Sequence, residues 1–155
     1  MERTFLGIMF LLLASSAHAG QFALLLNGHA IHLREAPGFE NEANYGLGLQ
    51  YDFRRNGRTL PFGFLVGFQD SHRDPSYAAG GGYRWRLVER FIDFDVGLTA
   101  MLMTRRTFNG GEPFPAILPM AMLGVGRVAL NVLYVPDVHP EFVPVVFLQM
   151  RYAID

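Results

Sequence analysis

Residue types that can transfer an acyl group stand together at one predicted strand end. Residues 63–68 form an alternating apolar run typical of a β-strand, and Asp70, Ser71 and His72 follow it. A hydroxyl becomes a nucleophile when a base takes its proton, and that base needs an orienting partner. His32, at the end of an earlier strand-like run, is a second candidate base. Because Asp, Ser and Pro are also common in surface turns, the stretch is equally compatible with an ordinary loop.

The composition indicates one apolar domain and excludes several classes of function. The chain has 155 residues, of which 50% are hydrophobic and 17% charged, with a net charge of -1 and no cysteine. This length suits a single domain. Without a basic stripe we expect no nucleic-acid partner, and without cysteine there is no disulfide and no thiolate metal site. His29 and His32 are three residues apart and fall on opposite faces of a strand, so we expect no metal site there.

The N-terminal segment is predicted to be a secretory signal peptide, residues 1–19, followed by one domain, residues 20–155. Arg3 precedes an apolar run over residues 5–13, and Ala17-His18-Ala19 forms a small-x-small cleavage site. The apolar run is too short for a spanning helix, which needs about 20 residues.

Alternation at period two recurs along the rest of the chain and predicts an all-β fold of eight strands. Their lengths and even number suit an eight-stranded antiparallel transmembrane β-barrel, closed because a sheet edge cannot be satisfied in lipid. Short connections, such as the Asn56-Gly57 turn, alternate with long ones, as in outer-membrane barrels. The predicted strands are residues 21–32, 44–54, 59–70, 78–86, 91–104, 117–125, 127–135 and 144–153.

Each predicted strand separates an apolar face from a small or polar one. We expect the apolar faces to contact lipid; a soluble, lipocalin-like barrel would reverse them, but the secretory signal and the uncharged apolar faces favour the membrane. Because the first and third strands run in the same direction, His32, Asp70 and Ser71 should meet at one rim. The faces expected to point outward include Tyr45, Leu47, Leu49, Tyr51 and Phe53; Phe62, Phe64, Val66 and Phe68; and Ile92, Phe94, Val96, Leu98, Ala100 and Leu102.

Seven short motifs occur in an order that resembles the lipid A palmitoyltransferase (PagP) family of outer-membrane enzymes, over nearly all of the mature chain. The motifs are Asn27-Gly28-His29-Ala30-Ile31-His32-Leu33-Arg34, Asn41-Glu42-Ala43-Asn44-Tyr45-Gly46-Leu47-Gly48-Leu49, Phe68-Gln69-Asp70-Ser71-His72, Gly81-Gly82-Tyr83-Arg84-Trp85, Ile117-Leu118-Pro119, Tyr134-Val135-Pro136 and Met150-Arg151-Tyr152. The resemblance implies that His32, Asp70 and Ser71 are catalytic. It also implies a phospholipid donor and a lipid A acceptor, with transfer of a palmitoyl or shorter chain and no cofactor.

The resemblance also implies a lateral gate and a pocket for the acyl chain. The family's later pair of gate prolines is kept as Pro119 and Pro136, whereas the earlier pair reads Asn27 and Asn44. Arg84 replaces a glycine of the pocket floor.

Arg84 and Arg86 should point inward, and Asp93 and Asp95 on the adjoining strand are available to pair with them, because a lone guanidinium in the lumen is costly. We therefore expect an Arg/Asp cluster that raises the floor, a preference for chains shorter than palmitate, and a longer preferred chain in Arg84→Gly. Alternatively, Arg84 reaches down to periplasmic water and leaves the pocket deep.

Three functions are open on the sequence alone. The first is acyl transfer to lipid A by a monomer in the bacterial outer membrane. The second is a noncatalytic barrel that stabilises the membrane or binds a ligand at its loops, and the third is a lipid A deacylase. Four loop arginines are candidates for lipid A phosphate binding or are solvated loop charges: Arg34, Arg73, Arg105 and Arg106.

Overall fold

A computed structural model describes residues 20–34, 42–137 and 143–154, and these form one closed β-barrel. All neighbouring strands are antiparallel and β1 pairs with β8, which confirms the predicted eight-stranded fold. The expected signal peptide lies outside the described residues. No helix among the described residues is long and apolar enough to cross a membrane. The strands are β1 (Gln21–His32), β2 (Gly46–Asp52), β3 (Thr59–Gln69), β4 (Pro75–Glu89), β5 (Asp93–Met103), β6 (Phe114–Val125), β7 (Val128–Val135) and β8 (Val145–Ile154).

The two ends of the barrel differ in their connections. At one end Gly57 and Gly126 take positive φ angles of 59° and 60°, which glycine adopts without a steric penalty in tight turns. The end at which β1, β3, β5 and β7 terminate is called the long-loop rim below. The loop predicted there as residues 71–77 is shorter, because β4 already begins at Pro75 and leaves only residues 70–74 between the strands.

The predicted orientation of β3 is wrong. Phe62, Phe64, Val66 and Phe68 line the interior of the barrel, whereas Leu65, expected inside, is 61% exposed on the outer surface. Both phases of this strand are uncharged, so alternation alone could not decide which face meets lipid. The outward glycines are covered by aromatic rings from neighbouring segments: a Cβ on Gly63 would lie 3.6 Å from the Phe53 ring, and one on Gly67 would lie 3.2 Å from the Tyr77 ring.

The sequence predicted an interior lined by small or polar residues throughout. The structure instead divides the interior into two halves. Near the long-loop rim it is apolar, around a buried cluster of Val66, Ala78, Met101 and Leu118. Towards the other end it is polar. An amide chain runs there along the inner wall of the neighbouring strands β7, β8 and β1, with Asn131 Nδ2 donating to Gln149 Oε1 (3.0 Å) and Gln149 Nε2 donating to Asn27 Oδ1 (2.6 Å). Buried amides are stable in such a place because they satisfy one another.

A β-bulge in β1 sets the direction of its last residues. The pairing of β1 with β8 shifts register between Asn27 and His29, which leaves Gly28 as the extra residue. Before the bulge Ala23, Leu25 and Asn27 are buried, and after it Ala30 is buried. Regular alternation would have continued inward at His29 and turned His32 outward. Bulges often re-aim side chains next to functional sites, and this one turns His32 into the lumen.

Candidate functional site

His32 and Ser71 lie side by side at the long-loop rim. His32 is the last residue of β1, and Ser71 follows β3 in the loop of residues 70–74. The Nε2 atom of His32 is 3.0 Å from Ser71 Oγ, a normal hydrogen-bond distance. Both side chains are largely buried. The arrangement is that of a base and a hydroxyl, which acyl transfer requires.

Asp70, the third predicted residue, is next to this pair but holds the loop. Its Oδ1 accepts hydrogen bonds from the backbone amides of His72 (2.8 Å) and Asp74 (3.0 Å). Its backbone carbonyl accepts from Arg73 N at 2.9 Å. The carboxylate therefore closes the turn that presents Ser71.

Two charged residues at the site were not singled out from the sequence as part of it. Glu42 Oε1 lies 3.9 Å from His32 Nδ1, on the side of the imidazole opposite Ser71. Arg105 lines the mouth of the cavity described below and acts electrostatically on Asp70. Burial lowers the pKa of the Arg105 guanidinium, and the Asp70 carboxylate opposes that shift. Glu42 falls within one of the seven motifs and Arg105 among the four loop arginines, but no spacing indicated that either lies beside the His32–Ser71 pair, because loop conformation brings both there.

A cavity of about 260 Å³ opens beside the His32–Ser71 pair and continues into the apolar half of the barrel. Asp70, Ser71 and Arg105 are at its mouth. Its walls are the inward phenylalanines of β3 with methionines and leucines from the opposite strands: Phe62, Phe64, Phe68, Met101, Met103, Leu118, Met120 and Leu133. A lining of this kind suits a hydrocarbon chain.

The floor of the cavity is formed by Phe62, Thr99 and the amide chain of Asn27, Gln149 and Asn131. Arg84 is not one of the lining residues; its guanidinium lies below the Phe62 ring, 5.4 Å from the ring centroid. Its part in the floor is thus indirect, because it supports Phe62 from beneath.

Below the floor lies the Arg/Asp cluster, formed by Arg84, Arg86, Arg151, Asp52, Asp93 and Asp95. Arg84 is 2% exposed and lies 2.9 Å from Asp52 and 3.4 Å from Asp95. Arg86 pairs with Asp95 and, at 3.2 Å, with Asp93, and Arg151 pairs with Asp52. The guanidinium of Arg84 is therefore paired inside the barrel rather than extended into water.

Pro119 stands where the pairing of β6 with β7 stops. The ladder between these strands runs from Val125–Val128 to Met120–Leu133, so that, within the described residues, Phe114–Pro119 of β6 pair with β5 only. Pro115, four residues earlier, also lacks an amide hydrogen. Ile117, 69% exposed on the outer surface, and Pro136 both line the cavity. The cavity therefore reaches the side of the barrel between β6 and β7.

The β1–β2 ladder ends at Asn27–Gly46. Beyond that pair, Ala30 N donates to Glu42 O at 2.8 Å, and the buried Asn44 donates from Nδ2 to Gln69 O at 2.8 Å.

The loop arginines differ in their surroundings. Arg34 pairs with Asp137 at 3.0 Å and Arg106 with Asp74 at 3.3 Å on the surface, while Arg73 has a φ of 64° in the tight loop. Among the described residues, no group of three or more His, Cys, Asp or Glu side chains is arranged to hold a metal ion.

A closed barrel with an exposed apolar outer surface, a hydrocarbon-lined cavity and a His–Ser pair at its mouth defines a class of protein: membrane barrels built to handle acyl chains. The chain belongs to one such family, "Antimicrobial peptide resistance and lipid A acylation protein PagP", which matches residues 15–151. It is accordingly an outer-membrane protein.

Known proteins called "Lipid A acyltransferase PagP" are similar to this chain in sequence. That of Laribacter hongkongensis is 33% identical over 127 residues, or 76% of this chain and 57% of the relative. That of Methylobacillus flagellatus is 34% identical over 74 residues, or 47% of this chain and 40% of the relative. That of Pantoea ananatis is 31% identical over 107 residues, covering 64% and 53%. The chain thus spans about half the length of the curated relatives it matches.

Among solved structures, the Yersinia pestis outer membrane protein Ail is similar at a TM-score of 0.48 and 14% identity, covering 88% of this chain and 100% of Ail. The fold described above rests on the chain's own strand pairing.

Proposed function

We propose that this protein transfers an acyl chain from a phospholipid to lipid A in the outer membrane. The observation that carries the proposal is the His32–Ser71 pair, with Nε2 and Oγ 3.0 Å apart, at the mouth of an apolar cavity. Membership of the PagP family supports the same chemistry. The scissile ester would lie at the mouth and its hydrocarbon tail in the cavity.

The proposed mechanism is an ester exchange with His32 as general base. Its Nε2 takes the proton of the attacking hydroxyl, whose oxygen bonds to the acyl carbon. The bond from that carbon to the glycerol oxygen breaks, and the leaving oxygen receives the proton from His32. The attacking hydroxyl belongs either to the lipid A acceptor, with Ser71 donating a hydrogen bond to the developing oxyanion, or to Ser71 itself. In the second case the lipid A hydroxyl then attacks the acyl-Ser71 ester, and His32 passes its proton to the leaving Ser71 oxygen. Asp70 holds the loop so that Ser71 faces His32.

The gap between β6 and β7 is proposed as the lateral gate through which an acyl chain enters from the membrane. Pro119 and Pro136 flank it, and the cavity lining extends to both sides of the gap. Because proline cannot donate to a strand ladder, Pro115 and Pro119 keep this edge from pairing. A single barrel contains the whole cavity and pair, which supports a monomer as the active unit.

Mass spectrometry of lipid A from cells with and without the protein tests the proposal. One additional acyl chain is the expected result, and it should disappear in His32→Ala while the barrel still folds. Loss of an acyl chain would instead indicate a deacylase, and unchanged lipid A would indicate a noncatalytic barrel. Transfer that persists in a folded His32→Ala protein would remove His32 from the mechanism.

A further inference from the structure

Among the described ion pairs, the carboxylate that His32 contacts is Glu42, which precedes β2 and is not part of the loop that carries Asp70 and Ser71. His32 Nδ1 lies 3.9 Å from Glu42 Oε1, and its other nitrogen faces Ser71 at 3.0 Å. A catalytic imidazole that takes a proton on one nitrogen is oriented and stabilised by an acid beside the other. Glu42 occupies that second position.

Asp70, by contrast, is engaged with other groups. Its Oδ1 accepts hydrogen bonds from the backbone amides of His72 and Asp74 at 2.8 and 3.0 Å, and its charge acts on the half-buried Arg105. A carboxylate that receives two backbone amides is fixed by its own loop, so its contribution is to hold Ser71 in place.

Glu42 is itself held in position by β1. Its backbone carbonyl accepts a hydrogen bond from Ala30 N at 2.8 Å, two residues before His32. Its second carboxylate oxygen, Oε2, lies 3.4 Å from His29 Nε2. The carboxylate is therefore shared between two imidazoles of the same strand, one outside the barrel and one inside.

We infer that Glu42 is the residue that positions His32 for acyl transfer, with Asp70 organising the loop of Ser71. The inference rests on the proposed function for its catalytic consequence. As Nε2 takes the proton of the attacking hydroxyl, Glu42 stays ionised and stabilises the imidazolium until the proton passes to the leaving glycerol oxygen. The distance of 3.9 Å exceeds a hydrogen bond. Catalytic contacts that are long in the free enzyme commonly tighten when the substrate binds.

Charged groups other than Glu42 also act on the His32 imidazole, and the experiment must distinguish their effect from that of Glu42. His72, from the loop of residues 70–74, and Arg105, from the loop after β5, act on the imidazole with the opposite sign to Glu42. His29 shares the Glu42 carboxylate. The variant to make is Glu42→Gln, which keeps the side-chain length and removes only the charge.

The test compares Glu42→Gln, Glu42→Asp and Asp70→Asn in the full protein, refolded into phospholipid vesicles that contain lipid A. The matched control is Glu112→Gln, an exposed glutamate in another loop of the same rim. We expect kcat of Glu42→Gln to fall about tenfold, less than the ~10²–10⁴-fold contribution of a general base itself. The acid limb of the pH–rate profile of Glu42→Gln should move to lower pH by roughly half a unit or more. Glu42→Asp should recover most of the activity, and Glu112→Gln should match the wild type.

A second measurement does not depend on turnover. NMR titration of labelled His32 reports the pKa of its imidazole directly, and Glu42→Gln should lower it, whereas Asp70→Asn should change it less. If Glu42→Gln leaves both the pH profile and this pKa unchanged, or if Asp70→Asn shifts the pKa more, the assignment to Glu42 is wrong. If the wild type transfers no acyl chain at all, the proposed function fails, while the titration still decides whether Glu42 and His32 are paired.

Discussion

The depth of the cavity predicts which acyl chains the protein accepts. Six residues separate Phe68, near the mouth, from Phe62, at the floor. At a rise of about 3.3 Å per residue and a tilt of about 40°, this is roughly 15 Å of depth. An extended chain with C–C bonds of ~1.5 Å advances about 1.3 Å per methylene. Roughly twelve methylenes fit between these layers, so we expect a preferred chain shorter than palmitate.

Phe62→Ala should lengthen that preference. Its ring closes the cavity because Gly82, on the adjacent strand, leaves room for it: a Cβ there would meet Phe62 Cζ at 2.9 Å. Removing the ring frees the space between the cavity and the Arg84 guanidinium, whose Cζ lies 5.4 Å from the ring centroid, and this is enough for about four methylenes. Each buried methylene contributes about 0.8 kcal/mol, or roughly fourfold in relative rate. The relative kcat/KM of a chain four carbons longer should therefore rise by up to about 200-fold.

The assay uses donor phospholipids of defined chain length, and Phe64→Ala is the matched control. Phe64 lines the wall one layer above Phe62, so its removal widens the cavity without deepening it. We expect that variant to lose rate on all chains without a shift of the optimum. Since Phe→Ala in a core costs about 3–5 kcal/mol, Phe62→Leu provides a second, less destabilised variant. An identical chain-length profile in wild type and folded Phe62→Ala, or an equal shift in Phe64→Ala, would refute the assignment of the floor.

Three further predictions follow from the same contacts. Deleting Gly28 removes the extra residue without changing the alternation of the residues after it, so His32 should still face the lumen and transfer should persist in the folded barrel, as it should in Gly28→Ala, whose Cβ meets nothing within 4 Å; loss of transfer in the folded deletion variant would contradict the assignment of Gly28 as the extra residue. Arg84→Met should lower the free energy of unfolding in vesicles by up to about 3 kcal/mol, because it leaves three carboxylates to share the two remaining guanidiniums of the Arg/Asp cluster. Arg84→Met with Asp95→Asn should recover part of that loss, and an additive double variant would contradict the pairing. Pro119→Ala supplies an amide hydrogen at the end of the β6–β7 ladder and should slow transfer from vesicles but not from dispersed donor; equal slowing in both would argue against a gate.

Much of the fold follows from local sequence because period-two alternation and turn chemistry are local properties. The predicted bounds of β1 agree with the structure to the residue, and Asn56-Gly57 correctly marked the turn between β2 and β3. The location of His32 and Ser71 at the same rim followed from strand direction, whereas the bulge that turns His32 toward Ser71 was not predicted. These features need no knowledge of what lies across the barrel.

The features that the sequence did not predict depend on contacts with other strands and loops of the barrel. The orientation of β3 could not be read from its sequence, because its two faces are both compatible with lipid and only the cavity distinguishes them. The bulge at Gly28 is a property of the β1–β8 register. Glu42 reaches His32 through loop conformation, and its position ten residues along the chain carries no periodic signal. Arg84 was expected at the floor, and the ring of Phe62 lies between it and the cavity.

The contacts that stabilise the barrel and the cavity proposed for function lie in different halves along its axis. In the half away from the long-loop rim, β6 and β7 are paired, buried amides satisfy one another, and the Arg/Asp cluster links β2, β4, β5 and β8. In the other half the β6–β7 ladder stops, two prolines hold an edge open, and the interior is a cavity rather than a packed core. An unpaired edge facing lipid is costly and can persist only where the rest of the fold over-determines it. The ion pairs of the closed half stabilise the wall that the open half interrupts, so loss of the Arg84 pairs should destabilise the barrel without changing the residues that line the cavity.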